Sequence, residues 1–122
     1  MKKRNHKLFL EDILEAMDKI ESYIKDLTYD AFIKNDMVQD AVIRNLEIIG
    51  EASKNIPEVV REKYPDISWK RMIGLRNIAV HEYFGVDLGI IWEIITKNLR
   101  ETKPKIIAIL KSFDEEFGGS LT

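Results

Sequence analysis

The sequence predicts an all-α fold, an antiparallel bundle of four to five helices. Three observations point there. Apolar residues recur at three- and four-residue spacing along the whole chain. No run alternates apolar with polar, and no Asn-Gly or Asp-Gly pair marks a hairpin. The breakers fall between the periodic segments, with Pro57, Pro65 and Gly85 in or beside the connections.

The first helix is expected over residues 5–27. Phe9, Ile13, Ala16, Ile20, Ile24 and Leu27 lie on one face, widened by Leu10, Leu14 and Met17. Residues 28–36 read as a connector with room for one helical turn. The second long helix is expected from Asp36, as its cap, to Asn55. Gly50 sits in its interior, where glycine costs roughly 1 kcal/mol relative to alanine, so close approach of another helix is expected there. Pro57 suits the first turn of a short helix over 57–64, which Pro65 closes. A further helix starts near Trp69, with Ser68 or Asp66 as the cap, and Gly85 ends or loosens it. Asp87 can cap the last helix, which Pro104 should kink or split. The whole chain, 1–122, reads as one domain with a loose tail at 118–122.

Composition bounds the function. There is no cysteine, which removes disulfides and thiolate metal sites, and the two histidines, His6 and His81, are far apart in sequence. No metal and no cofactor is expected. The basic start Lys2, Lys3, Arg4 and Lys7 is not followed by a long apolar run, so neither a leader peptide nor a membrane span is expected, and the cytoplasm is the default location. The net charge is −2, from 19 basic and 21 acidic residues. That is not the bulk charge of a strong nucleic-acid binder, so any RNA contact must come from a local patch.

The stretch 76-RNIAVHEYF-84 concentrates chemistry. With Arg76 at zero and 100° per residue, Met72, Leu75, Ile78 and Ala79 fall at roughly 320°, 260°, 200° and 300°, one apolar face. Asn77 and His81 fall at roughly 100° and 140°, and Tyr83 near 340° if the helix persists. Val80 and Ile73, at roughly 40° and 60°, sit within that polar arc. A second subunit covering the arc, in a homodimer, would account for them.

A histidine near a helix end can simply cap it. It can also move protons near neutral pH. Arg76 can hold a phosphate and stabilise developing charge, and Asn77 can orient His81 or a substrate. Together these groups suit phosphodiester cleavage by an adjacent ribose hydroxyl. They suit equally a nucleotide-binding pocket without chemistry, or a structural bundle. Arg44, Glu47, Glu51 and Lys54 form a polar stripe on the second long helix, either a solvated face with internal ion pairs or a support for Arg76 and His81. Trp69 and Trp92 sit among apolar helical neighbours and read as core or interface.

The run Arg76, His81 and Tyr83, in the pattern R-x(4)-H-x-Y, resembles the signature of the HEPN superfamily and of HepT-like toxins. The blocks 40-DAVIRNLEIIGEASKNIPEVV-60 and 65-PDISWKRMIGLRN-77 resemble the family's second helix and its lead-in to the motif. The resemblance runs from about residue 7 to about residue 113. It implies a helical, usually dimeric, metal-independent endoribonuclease that acts as the toxin of a type VII toxin–antitoxin pair. It implies Arg76 and His81 as the catalytic pair, with Asn77 beside them. It also implies a partner, an MntA-type nucleotidyltransferase antitoxin, that silences the toxin by transferring AMP to Tyr83. The target, mRNA or tRNA, is left open.

Overall fold

A computed structural model describes residues 5–80 and 87–113. The described residues form α-helices and no strand. The helices are α1 (His6–Ile24), α2 (Tyr29–Ile33), α3 (Asp36–Asn55), α4 (Glu58–Lys63), α5 (Trp69–Val80), α6 (Leu88–Glu93) and α7 (Leu99–Phe113). A π-helical turn, Ile94–Asn98, joins α6 to α7.

Helix α3 is the centre, with α1 packed on one side and α5 on another. Its apolar stripe, Val42, Ile43, Leu46 and Ile49, is buried against Leu10, Ile13, Met17 and Ile20 of α1. Helix α7 closes the other side of α1 with Leu99, Ile106 and Ile109. The ends of the pair show that α1 and α7 run antiparallel: the His6 ring lies 4.9 Å from that of Phe113, and Lys103 reaches Asp18 and Glu21. Phe32 is buried beneath Trp92, ring centres 5.1 Å apart, which pins α2 to α6. Trp92 is half-buried, Trp69 buried, and both serve the core as their neighbours suggested.

Several boundaries differ from the sequence expectation. Helix α1 ends at Ile24, not Leu27, because the chain turns through Asp26 at φ 61°. The connector does hold one short helix, α2, capped by Thr28. The cap of α3 is Asn35, whose Oδ1 accepts the amide of Val38 at 3.1 Å, and Asp36 is the first helical residue instead. Pro57 stands at the cap position of α4, its carbonyl accepting from Val60 and Arg61. Asp87 caps α6 as expected, accepting from the Gly89 amide at 2.8 Å. Pro104 does not split the last helix. Pro104 and Arg100, four residues before it, are both exposed, so the carbonyl that loses its donor lies on the solvent side. The irregularity falls upstream, in the π-helical turn. Gly85 and the 118–122 tail lie outside the described residues.

The clearest polar tie of the bundle is Lys103, three-quarters buried between α1 and α7. Its Nζ lies 2.7 Å from Asp18 Oδ1 and 3.1 Å from both carboxylate oxygens of Glu21. The hydrogen bond to Asp18 raises its pKa above the ordinary 10.5, ahead of an opposing effect of burial. A raised folded-state pKa means that the ammonium stabilises the fold below the ordinary value, and that this contribution is lost as pH climbs through the raised one. We expect thermal melts to show wild type losing stability above about pH 10.5, and Lys103→Met to flatten that alkaline decline relative to wild type.

Candidate functional site

The site is built on the contact between α3 and α5. Gly50 is buried in α3, and a Cβ there would stand 2.6 Å from the Arg76 amide nitrogen, 3.0 Å from its Cβ and 3.1 Å from the Ile73 carbonyl oxygen. No side chain fits in that gap. The glycine lets the backbone of α5 rest on that of α3, and it fixes the stem of Arg76. The sequence expectation of a close approach at Gly50 holds.

Helix α5 begins where Trp69 is locked. Its indole nitrogen donates to the Tyr64 carbonyl at 3.0 Å, and its ring is buried. The Ser68 carbonyl takes the Met72 amide at 3.0 Å, so Ser68 is the residue at the cap position. Asp66 is engaged otherwise, its carbonyl receiving the Lys105 ammonium at 2.8 Å. Met72 and Leu75 are buried and Ile78 half-buried, the apolar face that phase indicates.

On the polar arc, the Arg76 guanidinium lies 3.2 Å from Glu51 Oε2, with the arginine side chain 46% exposed and the glutamate 51%. A pair this open contributes about 0.2–1 kcal/mol to stability. Its consequence is therefore placement: the charged head of Arg76 is held beside α3 and remains reachable from solvent. Asn77 is exposed on the next position.

The stripe on α3 divides. Arg44 and Glu47 pair with each other at 3.3 Å, both well exposed. Among the described residues, Glu51 alone of the four forms an ion pair with Arg76. Arg44, Glu47 and Glu51 share an open groove of about 320 Å³ with Phe9 and Asp12 of α1. Ile73 is half-buried, with its carbonyl abutting Gly50 and part of its surface left open. His81, Tyr83 and the side chain of Val80 lie outside the described residues. Among the described residues no cluster of His, Cys, Asp or Glu could hold a metal ion, and no helix is long and apolar enough to cross a membrane.

The family model "Ribonuclease HepT-like" matches residues 13–109. A Methanocaldococcus jannaschii protein named "Putative RNase MJ1380" is 47% identical over 106 residues, 87% of this chain and 97% of its own length. A Thermococcus cleftensis protein named "Probable ribonuclease HepT" is 41% identical over 109 residues, 89% of this chain and 99% of its own. A third, the M. jannaschii "Gamma-glutamylcyclotransferase and putative RNase MJ0434", is 45% identical over 113 residues, 93% of this chain, which spans 51% of that longer protein. No solved structure matches significantly.

The two helical glycines should respond in opposite ways. Gly50→Ala forces α3 and α5 apart and should cost about 1–3 kcal/mol. Gly74, in α5, has open space where its Cβ would stand. Gly74→Ala should stabilise by up to about 1 kcal/mol. Denaturant titration of the two variants reads both signs.

Proposed function

Because this chain belongs to the HepT-like ribonuclease family, we propose that it is the toxin of a toxin–antitoxin pair, an endoribonuclease whose cleavage centre is Arg76 with His81. The observation that carries the assignment is the placement of Arg76. Its backbone is fixed on Gly50, its guanidinium is tethered by Glu51, and nearly half of its side chain stays open to solvent. A cation kept in place yet reachable suits a phosphate that arrives and leaves.

In the proposed reaction a ribose 2′-hydroxyl gives up its proton and its oxygen attacks the adjacent phosphorus. The bond to the 5′-oxygen breaks, that oxygen gains a proton, and the products are a 2′,3′-cyclic phosphate and a 5′-hydroxyl end. His81 transfers the proton and Arg76 stabilises the negative charge that builds on the phosphorane-like oxygens. Asn77, one residue on, assists by orienting His81 or the phosphate. Glu51 is a positioning residue, acting through Arg76. Arg44 and Glu47 form the flank of the same groove. The chemistry needs no metal ion.

The regulatory half of the proposal concerns Tyr83. An MntA-type nucleotidyltransferase antitoxin would supply ATP-derived AMP: the phenol oxygen bonds to the α-phosphorus, pyrophosphate leaves, and the phenolic proton is released. The added anion would compete for Arg76 and block RNA. The working form is a homodimer, with Ile73 and Val80 at the shared face.

The cleavage assignment predicts that His81→Ala and Arg76→Ala each lower RNA cleavage by about 10²–10⁴-fold with unchanged melting. Glu51→Gln should lower kcat by about tenfold at nearly constant stability, and activity should persist in a chelator. Full activity in Arg76→Ala would refute the assignment. A wild type that binds nucleotides tightly and cuts no RNA would favour the non-catalytic binding subunit instead. For the switch, intact mass after incubation with antitoxin and ATP should rise by one AMP or a small multiple, on a peptide containing Tyr83. An unmodified Tyr83 under those conditions would remove the regulatory claim.

A further inference from the structure

The side of α5 turned from Arg76 borders a cleft of about 450 Å³, closed opposite by the π-helical turn and the start of α7. That volume lies in the range of small-ligand sites, roughly 300–1,000 Å³. Two features that disfavour a stable helix meet there. The first is Gly74, whose Cβ position would meet open space beyond its own helix backbone. Gly50 is required by a neighbouring backbone, but nothing among the described residues requires Gly74. The second is the π-helical turn itself, a rare form that tends to occur at functional sites. Both of its end residues, Ile94 and Asn98, line the cleft.

The lining is chemically specific. Leu75 and Ile78 on α5 face Ile94 and Leu99, giving apolar walls. Asn98 is half-buried and also lines the cleft, and its side-chain amide makes no hydrogen bond among the described residues. Arg71 lines it too, exposed and without an ion pair among the described residues. Apolar walls accept the faces of a flat ring, and a carboxamide offers a donor and an acceptor to its edge. Arg71 suits an attached phosphate, while Asp66 and Glu101 in the same lining balance the charge of Arg71 and Lys105 and leave no strong anion field.

We propose that this cleft is a nucleobase subsite, holding one unstacked base of a single-stranded RNA while the strand crosses α5 to reach Arg76. The inference rests on the ribonuclease reading for its source of ligand. A cleft of about 450 Å³ with apolar walls and a carboxamide in its lining fits one planar group better than it fits the broad face of a protein partner. The cleft and the cleavage residue share one helix, so a strand held at both is positioned for cutting and carries a base preference near the cut.

The test uses the full chain with the four nucleoside 5′-monophosphates and a 2′-O-methyl RNA hexamer, which lacks the attacking hydroxyl. Titration followed by NMR should shift the Asn98 side-chain amide and the Gly74 backbone amide. Gly74→Leu fills the cleft from a position with room for it. With its fold checked by melting, it should weaken hexamer binding by about tenfold, raise KM more than it lowers kcat, and flatten the base preference at one position near the cut. Asn98→Ala should alter which base is preferred. Monophosphate binding at Asn98 in a chain that cuts no RNA would uphold the subsite and refute the ribonuclease reading. Cleavage with the same KM and the same cut sites in folded Gly74→Leu would overturn the subsite and leave the ribonuclease standing. Unchanged RNA binding with lost assembly of a protein complex would also overturn it, in favour of protein docking.

Discussion

The contact between Gly50 and the backbone of Arg76 is the constraint on which the rest of the molecule depends. Helices normally stand apart by the length of their side chains, 8–10 Å between axes. At Gly50 there is no side chain, and the α5 backbone sits where a methyl group would be. That closeness brings Glu51, the next residue along α3, within 3.2 Å of the Arg76 guanidinium. It also settles which side of α5 faces α3, and so which side is left to face α7. One missing methyl group thus connects core packing, the placement of a cation and the existence of a second cleft.

The rest of the core supports that contact. Trp69 anchors the start of α5 through a buried ring and a hydrogen bond to Tyr64. Met72 and Leu75 bury the apolar face, and α1 with α7 backs α3 from the far side. Lys103 ties that backing together with two carboxylates of α1. The polar features of the site itself contribute little stability, because they are half-exposed. Packing holds the site and polar groups tune it, so a loss of activity without a loss of stability is a meaningful signal here.

Much of this was legible in the sequence. Apolar periodicity identified the long helices, because their buried residues recur with the helical period. Gly50 announced a close approach, since a glycine inside a long helix otherwise only costs stability. The Arg76-to-Tyr83 run and its two companion blocks identified the family, which the match over residues 13–109 bears out. Other features were not legible. Asn35 and Asp36 are both good caps, and only backbone geometry chooses Asn35. Pro104 looked like a break, yet helices tolerate proline where the orphaned carbonyl is on the solvent side. The π-helical turn has no residue signature, being a shift of hydrogen-bond register rather than a composition. Phase places Ile73 on the polar arc but does not show that its carbonyl would abut Gly50 of α3.

The stripe on α3 shows how far spacing reaches. The intervals among Arg44, Glu47 and Glu51 place them on one face, but they do not say which of them meets α5. Arg44 and Glu47 satisfy each other, and Glu51 is left for Arg76. Guanidinium chemistry makes that arrangement workable. Arginine has five N–H donors in a fixed fork, and Glu51 approaches Arg76 at Nη1. The carboxylate can steady the group from one edge while the remaining donors stay available to a phosphate. A lysine at this position would present a single point charge, and whatever held it would compete directly with any incoming phosphate. On the proposed cleavage role, arginine at position 76 answers a need of geometry as well as of charge: its side chain is gripped by its own protein and still has an edge to offer.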